Sequence, residues 1–298
     1  MPLRFVHCSD IHLLELAGNS PQRFFNKRLT GGVNLLFNRS RKYNGGMFQK
    51  IVAAAHAHGA ERLVITGDLT NLALESEFEH VKRHLEAVGM PVTVIPGNHD
   101  AYTRGSVRSH RFEHYMSAFM EGEREPGSDY PFVQRFGDVA LVGLSTAIPS
   151  LPLYAVGRVG DEQLARLGRC LATLGAEGLA RVILIHHPVV RGVAKPRHDL
   201  LDLDAFGRVI ADHGAELVLH GHEHRRLEGA LPGPGGVPVP VHGVGSGTYL
   251  SQKPGRHGAY SLYTVRPGRV TRTYHRWDGG GFVADEPEGP ILTGTGSH

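Results

Sequence analysis

Short apolar runs alternate with amphipathic helical patterns through the first third of the chain, and this alternation constrains the fold more than any other feature. Residues 3–8 (LRFVHC), 61–66 (ERLVIT) and 91–95 (PVTVI) are brief, β-rich and nearly continuous in apolar character, as strands covered on both faces are. Between the first two, Met47, Phe48, Ile51, Val52 and Ala55 share one helical face that stops at Gly59. Between the second and third, Phe78, Val81, Leu85 and Val88 step by three and four residues up to Gly89. This order calls for a parallel sheet with right-handed crossovers.

The second half continues differently. Residues 131–136 and 138–145 read as a hairpin turning at Gly137-Asp138. Leu164, Leu167, Leu171 and Leu174 mark a helix opened by Asp161. VILI at 182–185 and ELVLH at 216–220 are short buried strands separated by a helix near 202–213, and three strands without helices follow at about 238–244, 259–265 and 269–276. The expected fold class is therefore α/β: a four-layer sandwich of two mixed β-sheets flanked by helices, in one domain over residues 1–276. Residues 277–298, with a GGG run and prolines, are expected to form a mobile tail.

Composition narrows the function classes. With 298 residues the chain is long enough for a full core without staples, and its two cysteines, Cys8 and Cys170, cannot build a disulfide framework. The longest apolar runs fall short of the ~18 residues of a membrane span, and MPLRFVHCSD contains no signal-peptide core. A cytoplasmic location is the expectation. The net charge of +3 conceals a local excess. No acidic residue lies between Glu15 and Glu61, where Arg23, Lys27, Arg28, Arg39, Arg41, Lys42 and Lys50 are found. The segment at about 21–46 mixes these cations with Phe and Leu, so it reads as an insert that covers a site, touches an anionic membrane surface, or lies solvated. Aromatic interleaving is confined to Phe24, Phe25 and Tyr43, which does not favour nucleic acid as partner.

The chemistry-bearing residues sit directly after strands. Asp10-Ile11-His12, Gly67-Asp68-Leu69-Thr70-Asn71, Gly97-Asn98-His99-Asp100, His186-His187-Pro188 and Gly221-His222-Glu223-His224 each follow an apolar run. Ligands of open α/β sheets bind beyond the carboxyl ends of strands. On an extended backbone, residues 10 and 12, and residues 222 and 224, would point the same way. Carboxylate, amide and imidazole together suit Zn, Fe, Co or Mn. Without thiolates a structural zinc site is not expected. The set is large enough for two cations, with Asp68, central among the motifs, as the natural bridge.

In this order and spacing the five motifs resemble those of the calcineurin-like metallophosphoesterase superfamily, over residues 5 to about 225. The resemblance implies two divalent metal ions. It places Asp10, His12, Asp68 and His224 around one, and Asp68, Asn98, His186 and His222 around the other. It gives His99 contact with the scissile phosphate and sets Asp100 behind it, bonded to the second ring nitrogen. It implies attack on phosphorus by hydroxide generated at the metal pair. Ser/Thr protein phosphatases of the superfamily carry an Arg-Gly pair after the second motif, and this chain has Leu72-Ala73 instead. The Gly-Asp-x-x-Asn and Gly-Asn-His-Asp forms are similar to bacterial phosphodiesterases of the cyclic-nucleotide and glycerophosphodiester type. The basic, apolar insert resembles the branch that cleaves UDP-diacylglucosamine. The expected substrate is thus a small or lipid-linked phosphodiester or pyrophosphate of nucleotide type. Arg23, Lys27, Arg28, His187, Lys195 and Arg197 are candidate substrate contacts. A catalytically silent metal-binding scaffold is the alternative from another class. His220 reads as a strand-end residue pointing away, and Cys8 as a packed thiol.

Overall fold

The computed structural model describes residues 1–13, 45–151, 153–250, 257–285 and 289–291. Arg23, Lys27, Arg28 and the rest of the basic insert up to residue 44 lie outside the described residues. In chain order the strands are β1 (Leu3–Cys8), β2 (Arg62–Ile65), β3 (Val92–Val94), β4 (Phe132–Phe136), β5 (Val139–Gly143), β6 (Ala180–Leu184) and β7 (Leu217–His220). They continue with β8 (Leu227–Pro232), β9 (Pro238–Gly243), β10 (Ala259–Arg266), β11 (Arg269–Trp277), β12 (Phe282–Ala284) and β13 (Gly289–Ile291). The helices are α1 (Gly45–Ala57), α2 (Glu75–Glu86), α3 (Arg104–Arg108), α4 (Arg111–Met116), α5 (Asp161–Ala176) and α6 (Leu203–His213).

The strands form two mixed sheets. The first has the order β12-β11-β10-β1-β2-β3, with β13 also paired to β11; the second runs β4-β5-β6-β7-β9-β8. The first has a parallel half, β1-β2-β3, extended on one side by antiparallel strands; the second has a parallel centre, β5-β6-β7-β9, with an antiparallel strand at each edge. Alternation along the second sheet shows the layering. Leu141, Val182, Leu184, Leu217 and Leu219 pack into one cluster with Phe5, Val6, Leu63 and Ile65 of the first sheet. The residues between them, Ala140, Val142, Ile183 and Val218, pack instead with Leu164, Leu167 and Leu171 of α5 and Phe206 and Ile210 of α6. Phe48 and Ile51 of α1 and Phe78, Val81 and Leu85 of α2 close the first sheet. Helix, sheet, sheet and helix thus make four layers.

The segment after residue 276 differs from the expected free tail. Phe282–Ala284 and Gly289–Ile291 pair with opposite ends of β11. β11 is nine residues long and offers an edge that two short strands can share. The α3–α4 pair and β8 also lie outside the sequence expectation. The two helices are five and six residues long, too short for a helical period to show. β8 is an edge strand in which every second residue is exposed, and it carries Gly229 and Pro232.

Candidate dimetal active site

The parallel strands of both sheets end on the same side of the molecule, and the five motifs occupy the loops that leave them. Asp10 N–H donates to Gly67 O, His12 N–H to Asp68 O and Leu13 N–H to Leu69 O, each at 3.0 Å, so the loop after β1 runs as a ladder along the loop after β2. A third loop holds its other side. Ser246 Oγ donates to Asp10 O and Thr248 Oγ1 to Ile11 O, both at 2.7 Å. Ser246 and Thr248 carry no motif, and nothing in their spacing singles them out.

The backbone at these residues is not extended. Asp10, His12, Asp68, His222 and His224 have φ of 52°, 41°, 54°, 73° and 52°, in the left-handed region. Convergence of 10 with 12 and of 222 with 224 therefore comes from tight turns, not from strand alternation. Asp and His tolerate this region better than most residues, at a cost of roughly 1–3 kcal/mol each. The buried strands beneath offset that load, since a large apolar side chain contributes about 1.5–3 kcal/mol.

Two donor groups result. Asp10, His12, Asp68 and His224 bring one ligand atom each within 4.8 Å of one another, and Asp68, His186 and His222 do the same. Asp68 belongs to both. His224 Nε2 lies 3.1 Å from Asp10 Oδ1. His12 Nε2 lies 3.7 Å from Asp68 Oδ2, and His186 Nε2 lies 3.5 Å from Asp68 Oδ1. Asn98 Oδ1 and His222 Nδ1 each stand 3.2 Å from His186 Nε2.

Hydrogen bonding on the outer ring atoms tests whether cations fit here. His186 Nδ1–H donates to Thr66 O at 2.7 Å and His12 Nδ1–H to Thr70 O at 3.0 Å. In the neutral ring each Nε2 is then a lone-pair donor aimed at a carboxylate. Burial lowers the His186 and His222 pKa values, and neighbouring imidazoles lower His222 further, which keeps both rings neutral. Burial alone would raise Asp10, but the His224 imidazole overrides it and holds the carboxyl well below its usual range. The lone pairs of the His12 and His186 Nε2 atoms, the Asn98 amide oxygen and the Asp68 carboxylate converge, and a cation between them satisfies all of them. A backbone carbonyl behind a ligating imidazole is the usual support for a metal. The residues fit two divalent ions.

His99 lies beside this set. Its backbone N–H donates to Asp68 Oδ1 at 2.8 Å, and its ring stands edge-on to His12 with centroids 4.9 Å apart. The bond from His99 Nδ1 goes to Asn71 O at 2.7 Å, not to Asp100. The Asp100 carboxylate instead accepts from the N–H groups of Leu69, Thr70 and Gly97 and from the Thr70 hydroxyl. It ties the second motif to the third through the backbone. The expected Asp100–His99 bond is thereby corrected: four donors already fill the carboxylate.

The candidate substrate contacts separate. His187 is fully buried, with Nδ1 2.7 Å from Thr146 Oγ1 and Nε2 donating to Ala155 O at 3.1 Å. Both nitrogens are used inside the fold, so His187 supports the 146–155 segment and does not face substrate. Lys195 Nζ lies 2.9 Å from Glu223 Oε2, and His198 Nδ1 lies 3.2 Å from Glu223 Oε1. Burial would raise Glu223, but His198 and Lys195 together bring its pKa down to about 2. His198, His222 and Glu223 also group closely enough for a cation, but the Lys195 ammonium already neutralises that carboxylate. His198, whose ring lies 5.1 Å from that of His222, is the rim residue the motifs did not single out. Arg197 stacks on the Tyr154 ring at 5.2 Å. His220 is buried and turned to Gly221 O, and Cys8 is fully buried, which pushes its thiol pKa up.

Comparison with known proteins agrees with this fold. The structure superposes on a dimetal phosphatase from Danio rerio with a TM-score of 0.64 and 15% identity, covering 98% of this chain and 99% of that one. It superposes on the purple acid phosphatase PPD1 of yellow lupin (Lupinus luteus) at 0.61 and 13%, covering 95% of this chain and 53% of that one. Over 166 residues the chain is 30% identical to a probable cyclic nucleotide phosphodiesterase of Synechococcus sp., an alignment spanning 55% of this chain and 57% of that protein. The profile of the calcineurin-like phosphoesterases matches residues 3–226, the span that carries all five motifs. With that match added to the fold, the chain belongs to the calcineurin-like phosphoesterase family, and its two donor groups fit two divalent ions.

Proposed function

We propose that the chain hydrolyses a phosphodiester of a small nucleotide-type molecule, with a cyclic nucleotide as the first candidate. The observation that carries this reading is the placement of His99 beside both donor groups. Asp10, His12, Asp68 and His224 would hold one ion, and Asp68, Asn98, His186 and His222 the other. When bound, such a pair polarises a phosphoryl oxygen and lowers the pKa of water. The His99 ring, held by Asn71 O, addresses the phosphate through Nε2. As imidazolium it stabilises the charged oxygens or gives its proton to the leaving oxygen. Asp100 keeps the His99 loop in register with the Asp68 loop. Lys195 and His198 stand on the rim beside His222, where a leaving group can meet donors. The Synechococcus relative, named a probable cyclic nucleotide phosphodiesterase, supports the diester class.

One feature favours a second reading, a lipid-linked nucleotide diphosphate. Leu151, Leu153 and Leu201 are 71%, 86% and 61% exposed, on segments that adjoin Lys195 and Arg197. Exposed leucines beside cations suit an amphiphilic anion or peripheral contact with an anionic membrane. No helix among the described residues is long and apolar enough to cross a membrane. The deciding experiment is hydrolysis by the Mn²⁺-loaded protein of bis(p-nitrophenyl) phosphate, cyclic nucleotides, glycerophosphodiesters, nucleoside-diphosphate lipids and nucleic acids. Turnover of cyclic nucleotides with no turnover of the lipids supports the first reading, and the reverse supports the second. Turnover of neither the cyclic nucleotides nor the lipids overturns both.

A further inference from the structure

Glu77 is buried within the first turn of α2, with no exposed surface. Its carboxylate accepts three backbone N–H groups at 3.0 Å: Asn71 on Oε1, and Leu72 and Leu74 on Oε2. Leu74 is the N-cap of α2, and the Leu74 bond alone would complete the helix end. The other two bonds go outside the helix, to the segment that follows the Asp68 motif. That segment includes the Asn71 carbonyl, the acceptor for His99 Nδ1–H at 2.7 Å. Asn71 is also fastened by its side chain, whose Nδ2 donates to His12 O at 3.3 Å. Arg111 Nη1 holds the next residues through Ala73 O at 2.8 Å.

We propose that Glu77 is a positioning residue for His99: by fixing Asn71 it fixes the Nδ1–H tautomer and the ring orientation, and so makes Nε2 the nitrogen that meets the phosphate. This rests on the reading of His99 as the group that acts on the phosphate. The chain of contact is short and covalently constrained, since one Asn71 residue receives the Glu77 carboxylate on its N–H and gives its carbonyl to His99. Burial raises the Glu77 carboxyl to about 7 against the three N–H bonds that pull it down. A Glu at N3 commonly bonds the N-cap N–H alone, whereas this buried carboxylate also holds Asn71 and Leu72, outside the helix.

Glu77→Gln is the informative change. A carboxamide keeps one acceptor oxygen, so it can satisfy Leu72 and Leu74 but presents NH₂ to the Asn71 N–H. With the metal-loaded protein and bis(p-nitrophenyl) phosphate, kcat should fall at least tenfold, KM should stay within about twofold, and two metals per chain should remain. In a His99→Ala background the same change should alter kcat less than twofold, because the group it positions is gone. An equal fall in both backgrounds overturns the positioning role. His99→Ala at the wild-type rate overturns instead the reading of His99, which separates the two failures. A measurement on the unsubstituted, zinc-loaded protein covers the case of a variant that does not fold. Ring ¹⁵N spectra, with His99 assigned by its loss in His99→Ala, should show a proton on Nδ1 whether the ring is neutral or charged, and a neutral ring protonated on Nε2 alone overturns the proposal.

Discussion

Each oxygen of Asp68 faces a different imidazole, His12 on Oδ2 and His186 on Oδ1, and Oδ1 also receives the His99 N–H. One side chain therefore links both donor groups and the loop that bears His99. Replacing it with alanine takes a ligand from each ion. Elemental analysis should give two metals per chain in the active protein and fewer in Asp68→Ala, with activity lost and circular dichroism unchanged. A single tightly held metal in the active wild-type protein contradicts the bridge. His99 is expected to behave in the opposite way. Its side chain belongs to neither donor group and is held by Asn71 O, and alanine keeps the backbone N–H, so His99→Ala should retain both metals and lose about 10²–10⁴ in rate, the range for a general acid. Loss of metal in that variant would reassign the residue. The convergence of these motifs on one place was legible because polar residues directly after buried strands have few structural uses. The Glu77–Asn71–His99 connection was not legible. Its N-cap is Leu74, which shows no capping signature, and the carboxylate reaches its partners only once the loop has folded back.

Loops, not strands, carry the site, and what lets them approach is glycine. A Cβ at Gly221 would overlap Ser9 Oγ and lie 2.6 Å from Asp10 Oδ2. A Cβ at Gly97 would overlap Asp68 Oδ1. Neither contact can be relieved by a flexible side chain swinging away, because Asp10 also accepts the His222 N–H at 3.0 Å and Asp68 the His99 N–H. Gly221→Ala should therefore separate the loop after β1 from the loop after β7. The expected result is at least a tenfold weaker affinity for the ion held by Asp10 and His224, measured by competition with a chelator. Unchanged affinity would show that the loops can shift apart freely. At this scale the regular elements followed from period and length, whereas the left-handed turns did not. A sequence shows that Asp10 and His12 are two apart, but their direction depends on φ, and here the turn supplies what alternation was expected to supply.

Across the whole molecule the two sheets are joined by buried polar groups as well as by leucine and valine. His242 on β9 pairs with the Tyr263 hydroxyl of β10 at 3.0 Å, a bond from one sheet to the other, while His7 on β1 shares a hydrogen bond of 2.9 Å with Thr66 Oγ1 within the first sheet. Burial is the first cause that brings His7 and His242 down to about 3 and His220 and His275 to about 4. It also lowers His186, His187 and His222. In the metal-free protein these rings stay neutral in the fold, while in the unfolded chain they take up protons below about 6.5. The unfolded state then binds more protons, so stability is fully present above about 6.5 and is lost as pH falls toward the folded values. Glu77 and Asp100 act in the other sense, because burial raises them to about 7 and about 6 and the fold holds their protons longer. The lowered histidines outnumber the raised carboxyls, so unfolding takes up protons as the pH falls below about 6.5. Urea unfolding of the metal-free protein should therefore show its midpoint dropping steeply from pH 7 to pH 5. Bound metal should lift the whole curve at neutral pH and lose its effect on acidification, as protons compete for the imidazoles. A midpoint that stays flat over that range in the metal-free protein would mean that the histidines between the sheets are not held neutral, and the polar seam would then be open to water.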